Sequence, residues 1–181
     1  DDKATVINGV NLQNSSATVE FWMQRASLTA GTVLSIGSEI EAGFDANNKF
    51  FVRMKGQTIT TPLVYTATDE WKHFAFTYDH DNNAVNVFVN DQWVVENATV
   101  PSTNSWSEEI HIGSSFDETS FSEMYMHDLR IWDNAKGFGS VFSNMNIVMS
   151  GAEIGLVGLW AMDESAGNYA PDKARSQNAL I

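Results

Sequence analysis

Residues 71–90 constrain the fold of this chain more than any other stretch. Two runs, 72–79 and 84–90, alternate with period two, and a polar segment of turn formers, 79–83, joins them. Side chains recurring on every second residue mark a strand, and two such runs across a short polar turn mark a β-hairpin.

Most of the remaining sequence reads the same way. In 17–24, Val19, Phe21 and Met23 alternate against Thr18, Glu20, Trp22 and Gln24. Residues 32–37 form a short apolar run ending on Gly37, and 41–45 pairs naturally with 49–55 across the turn sequence Ala46-Asn47-Asn48. Asn90-Asp91 supplies the next tight turn, from which 92–96 returns, and further strands are expected at 108–113, 123–132 and 156–163. One segment departs from alternation. In 134–150, Val141, Phe142, Met145, Val148 and Met149 fit one helical face. About ten short strands separated by turn signals predict an all-β, two-sheet antiparallel sandwich of jelly-roll type, with one short helix near 136–149. No internal repeat or Pro-rich linker interrupts the 181 residues, which are read as a single domain.

Composition narrows the function. Acidic residues outnumber basic ones 23 to 10, leaving a net charge of −13. Affinity for phosphate rests on Lys and Arg, so neither nucleic acid nor anionic lipid is expected as a partner. No window reaches the roughly 18 consecutive apolar residues of a membrane helix, and no membrane insertion is expected. The absence of cysteine removes disulfides, thiolate metal sites and cysteine nucleophiles. It also suits a bacterial exported domain better than a small secreted animal one. The start at Asp1-Asp2 reads as that of a mature or trimmed chain whose signal peptide lies elsewhere. An extracellular, cell-surface or periplasmic location is therefore expected.

Several motifs, in order, carry a family resemblance. Trp71-Lys72-His73 and the Val85-x-Val87-x-Val89-Asn90 strand resemble the central hairpin of laminin G-like domains, members of the concanavalin A-like lectin and glucanase superfamily. Phe21-Trp22, Ile110-His111-Ile112-Gly113 and Leu129-Arg130-Ile131-Trp132-Asp133 resemble three further strands of that family. Gly155 to Trp160, followed by Met162-Asp163-Glu164, Gly167 and Asp172, is similar to the closing segment of bacterial, pentraxin-related members. Two positions depart from the pattern. His127-Asp128 stands where members often carry Asp-Glu, and the hairpin turn is Asn90-Asp91 rather than Asn-Gly.

The resemblance implies a concanavalin A-like sandwich and a non-catalytic carbohydrate-binding or adhesion module of an exported bacterial protein, with a glycan or a cell-surface protein as partner. The alternative is a structural spacer or protein–protein interaction module without a small ligand. Glycoside hydrolysis needs two carboxylates flanking one bond, about 5–5.5 Å apart in retaining enzymes. The glucanases of the superfamily carry theirs on one strand as Glu-x-Asp-x-Glu, a run absent here; Glu39-Ile40-Glu41 lacks the central Asp and the third acid. The four His show no metalloprotease spacing, and no Gly-x-Ser-x-Gly elbow occurs, so the chain is not expected to be an enzyme.

A sugar-binding surface uses an exposed aromatic beside a few polar groups. Trp93, just past a hairpin turn, Trp106, in a polar stretch, and Tyr65, after Pro62, are the candidate platforms. Trp22, Trp71, Trp132 and Trp160 fall on family positions and are assigned to core or hairpin packing, as is His73. No cofactor is required. Family members often hold Ca2+ at the rim, and Asp117, Glu118 and Asp45 lie in oxygen-rich loops suited to it, although Asp and Asn also fill turns for backbone reasons alone. Asn14 and Asn97 begin sequons that matter only in a eukaryotic secretory protein.

Overall fold

The computed structural model describes residues 3–10, 12, 15–102, 109–164, 169–174 and 179–180. Its strands, in chain order, are β1 (Ala4–Val6), β2 (Ala17–Arg25), β3 (Gly31–Ile36), β4 (Ile40–Phe44), β5 (Lys49–Met54), β6 (Gln57–Val64), β7 (Lys72–Asp79) and β8 (Ala84–Val89). Then follow β9 (Gln92–Thr99), β10 (Ile110–Ile112), β11 (Met124–Trp132), the helix α1 (Phe138–Asn144), β12 (Leu156–Trp160), β13 (Tyr169–Ala170) and β14 (Ala179–Leu180). Among the described residues they make two antiparallel sheets, ordered β13-β14-β1-β10-β3-β4-β5-β6 and β12-β11-β2-β7-β8-β9. This is the expected all-β sandwich.

The hairpin of β7 and β8 lies in the second sheet, with Phe74 opposite Val89, Phe76 opposite Val87 and Tyr78 opposite Val85. Asn83 and Asn90 close the turns at its two ends of β8 with φ of 50° and 53°, a region that Asn tolerates at low cost. The residues that alternate inwards from β2, β7 and β8 meet those of β3, β4 and β5 in one buried cluster. Phe74 lies at its centre. Its ring is edge-on to Phe44 of the facing sheet at 5.7 Å, and 4.7 Å from Phe50. Burying a Phe side chain contributes about 1.5–3 kcal/mol, which makes this junction of two sheets a principal source of stability. Two close approaches demand glycine. A Cβ on Gly31 would lie 1.9 Å from the Phe121 carbonyl oxygen, and one on Gly158 would lie 2.6 Å from the Trp160 ring.

The structure adds the short strands β1, β13 and β14, which the sequence did not announce, and differs from expectation at β6 and at the helix. Strand β6 carries no alternation and contains Pro62; it is an edge strand, exposed along most of its length, so neither periodicity nor composition announces it. The helix spans only seven residues, from Phe138 to Asn144. Of the expected apolar face, Val141 is buried in the helix and Met149 is buried beyond its end, whereas Val148 is 90% exposed. Residues 145–150 run as turns and irregular backbone because the segment follows the sheet beneath it rather than its own helical period.

Candidate functional site

The outer face of the six-stranded sheet carries Trp22 and Glu20 of β2, His73 and Ala75 of β7, and Phe88 of β8, all opposite in parity to the core residues. Strand β11 reaches the same face by an irregularity. His127 pairs with Trp22 and Arg130 with Glu20, so two residues of β11 stand against one of β2. A β-bulge of this kind re-aims side chains, and here it puts His127 and Arg130 on one face although they are three apart. The extra residue, Asp128, takes φ of 56° and its N–H donates to the Ala161 carbonyl at 3.1 Å.

The segment 134–150 crosses this face as a strap. Val141 packs with Ala75 and Phe88, and Met149 with Trp132, Leu156 and Leu159. Polar groups of the sheet hold its backbone. Thr18 Oγ1 donates to the Asn134 carbonyl and accepts from Lys136 N–H; Arg130 donates to the carbonyls of Asn144 and Ile147 at 2.9 and 2.7 Å. Trp22 Nε1 donates to the Met145 carbonyl at 2.9 Å.

Beneath the strap lies a buried polar cluster. Glu20 accepts a hydrogen bond from Trp132 Nε1 at 2.8 Å, and its two oxygens lie 3.3 Å from His73 Nε2 and 3.8 Å from Arg130 Nη1. Burial alone would raise the Glu20 carboxyl; His73, Arg130 and Trp132 together outweigh it and hold the group below the usual carboxylate range. Arg130 also donates to Asp128 Oδ2 at 3.1 Å. This cluster is inaccessible and braces the strap.

At the margin of the strap the face opens. Trp22, Trp71 and His127 meet Asp128, Met145, Asn146 and Val148 around a hollow of about 300 Å3. The His127 ring is stacked on Trp22, 6.1 Å between centroids and 9° between planes, and lies 4.7 Å from Trp71. Trp71 is 42% exposed. Two indoles and an imidazole therefore flank an open hollow with a carboxylate and an amide at hand, a combination suited to stacking a flat ligand while bonding its edge. Burial lowers the His127 pKa, Asp128 opposes that, and Arg130 and His73 add to it.

The expected platforms are not part of this hollow. Trp93 is 44% exposed, but its ring packs on Phe88 and Phe138 and its Nε1 donates to the Val95 carbonyl. Tyr65 is corrected from a surface platform to a core residue: it is 7% exposed, edge-on to Phe44 and Phe74, because the chain after Pro62 turns inwards between the sheets. Trp106 lies outside the described residues. Trp132 and Trp160 are buried, as assigned, whereas Trp71 is not. Its signal was the shared parity of Trp71 and His73, opposite to Phe74 and Phe76.

The three acids offered for calcium are occupied locally and lie in different loops. Asp117 accepts from Ser115 Oγ and from Thr119 N–H and Oγ1, which hold it below the usual carboxylate range. Glu118 pairs with Lys3. Asp45 accepts from the N–H groups of Asn47 and Lys49, closing the β4–β5 turn. Among the described residues no three His, Cys, Asp or Glu side chains converge as a metal site.

The family model of the concanavalin A-like lectin/glucanases superfamily matches residues 1–137. The chain belongs to that superfamily. A search of curated proteins finds no match. Among solved structures, this superfamily member is similar to a Bacteroides ovatus protein proposed to bind carbohydrate, with a TM-score of 0.81 at 16% identity over 99% of this chain and 56% of that one. It thus spans little more than half of that relative. It is also similar to a heptameric SAP-like pentraxin of Limulus polyphemus, with a TM-score of 0.65 at 14% identity over 99% of this chain and 88% of the other. The receptor binding domain of botulinum neurotoxin type G gives a TM-score of 0.59 at 12% identity over 74% of this chain and 38% of that one. At these identities the likeness is one of fold.

Proposed function

We propose that this superfamily member is a non-catalytic glycan-binding module of an exported bacterial protein, and that the hollow between Trp22, Trp71 and His127 is its binding site. The observation that carries the reading is the pair of indoles on either side of His127, one of them 42% exposed, beside Asp128 and Asn146. The carbohydrate-binding description of the Bacteroides ovatus relative supports it. A non-catalytic role is supported by the state of the carboxylates on this face: Glu20 is sealed under the strap, and Asp128 and Asp163 are each paired with a cation.

The test is titration of the protein with soluble polysaccharides, read by tryptophan fluorescence and by thermal midpoint. A ligand that binds only the folded state raises stability by about 2.7 kcal/mol at 100 times its dissociation constant. Trp71→Ala is expected to abolish the response while leaving the unliganded midpoint unchanged, and a full response in that variant removes this site. Parallel runs with EDTA and with added calcium decide whether a cation at the Asp117–Glu118 loop contributes.

One observation favours a protein-contact reading. Trp93, Phe138 and Phe142 form a strip of rings 5.9–6.3 Å apart, with Trp93 and Phe142 exposed. Glycan silence together with an association that Trp93→Ala weakens would select it.

A further inference from the structure

The hollow at Trp71 does not end at His127. A second one, of about 200 Å3, lies against it and shares His127, Asp128 and Val148 as a common wall. Its far side is formed by Ala161, Asp163 and Lys173, at the exit of β12.

The two halves differ in chemistry. The first offers ring faces. The second has no aromatic ring other than the shared His127; Val148, Met149, Leu159 and Ala161 line it, and its polar groups are Asp128 and the Asp163–Lys173 ion pair at 3.5 Å. A pyranose ring presents an apolar C–H face, which stacks on indole, and a hydroxyl edge, which bonds to carboxylate and ammonium. Two linked rings can fill both hollows, one against Trp71 and the other against the Asp163–Lys173 pair.

Charge restricts the ligand further. The cation lining the groove, Lys173, is matched by Asp163 at 3.5 Å, and Asp128 is engaged from below by the buried Arg130 at 3.1 Å. A uronic or sulfated sugar would bring a third anion to carboxylates whose counter-charges are already engaged, on a chain of net charge −13. The backbone beside the second hollow is also fixed. Asp128 and Met162 both take left-handed conformations, with φ of 56° and 55°, on the two sides of the Asp128 N–H to Ala161 hydrogen bond. The β11 bulge and the backbone after β12 thereby fix the wall of this hollow.

We infer that the two hollows are adjoining subsites of one groove that takes a neutral oligosaccharide of at least two units. One ring stacks on the exposed face of Trp71 beside His127, and the hydroxyls of its neighbour bond to Asp163, Lys173 and Asp128. The inference rests on the glycan-binding reading above.

The experiment is a chain-length series with the intact protein: mono- to hexasaccharides of the cello-, laminari-, xylo- and manno-series, with oligogalacturonate as the acidic control. Binding is followed by the indole N–H resonances, which register weak ligands. For the series that binds, affinity is expected to rise about tenfold or more from mono- to disaccharide. Asp163→Ala, on an exposed side chain whose loss leaves the fold intact, is expected to lower disaccharide affinity about fivefold to tenfold and to leave the monosaccharide unaffected. Asp163→Asn should restore part of that loss. Trp71→Ala should remove both. Equal affinity for mono- and disaccharide, or an Asp163→Ala variant that binds both normally, overturns the second subsite while leaving the first. Oligogalacturonate binding as well as the neutral series overturns the restriction on charge. Silence towards every sugar overturns the glycan-binding reading itself, and this inference with it.

Discussion

His127 lies parallel to Trp22 across the β2–β11 pair, 9° between planes, although a strict alternation along β11 would have separated it from Arg130 by one face of the sheet. The bulge at Asp128 makes both outward positions possible. Removing the left-handed residue should therefore disturb the groove before it disturbs the core. Asp128→Val, a β-branched residue that tolerates positive φ poorly, is expected to destabilise the fold by about 1–3 kcal/mol. In a spectrum of the variant, the Trp22 and Trp71 indole resonances should shift while the Phe74 environment stays as it was.

Arg130 is a second point of leverage. It sits against Glu20 and Asp128 and donates to two carbonyls of the strap. Breaking a buried pair by removing one member leaves a charge without compensation, and Arg130→Met is expected to cost about 3–5 kcal/mol in urea unfolding. Adding Glu20→Gln to that variant should recover part of the loss. A double variant no more stable than Arg130→Met alone would show that Arg130 acts on the strap and not on the carboxylate.

Acid stability follows from the same carboxylate. The Glu20 pKa is lower in the folded chain than in the unfolded one, so the unfolded chain takes up the proton first as pH falls. The resulting stabilisation is complete above about pH 4.3 and is lost as pH drops through the folded value. Glu20→Gln should flatten that limb of the stability–pH curve. An unchanged slope below about pH 4.3 would transfer the effect to other acids.

His127 gives a separate window. Burial against Trp22 and Trp71 lowers its pKa despite the neighbouring Asp128. Its contribution to stability is full above about pH 6.5 and is lost as pH falls through the lower folded value. The imidazole resonances should titrate below about pH 6.5, and Asp128→Asn should move the midpoint further down, since it removes the opposing charge. A midpoint that rises in that variant would contradict the arrangement of charges around the groove.

Much of the sandwich was legible in the sequence because alternation on β2, β5, β7 and β8 maps directly onto two faces, and Asn83 and Asn90 mark the ends of β8. The groove was legible only in fragments. Trp22 stood on the outward parity of its strand, and His127-Asp128 stood out as a departure from the family pattern, but nothing local joins residues 22, 71 and 127. Their meeting depends on a bulge, whose extra residue has no compositional mark, and on a strap whose course is set by hydrogen bonds from Arg130 and Trp22 rather than by helical period. Tyr65 misled for the converse reason. A Tyr shortly after a Pro has the look of a loop residue, and only the facing sheet shows that its ring fills space beside Phe74.

Strand β1 pairs with β14, Thr5 lying opposite Leu180, so both extremities of the described chain sit side by side in the eight-stranded sheet. Tension applied through those two points would pull directly across a single antiparallel pair. Such a load opens hydrogen bonds one after another, like a zipper, instead of shearing them together. The first material to give way would be the two residues of β14, and the load would next reach Asp172 and Lys173, which bond to Leu159 of β12. Strain on the chain's ends would thus reach the Lys173 side of the groove before the Trp71 side.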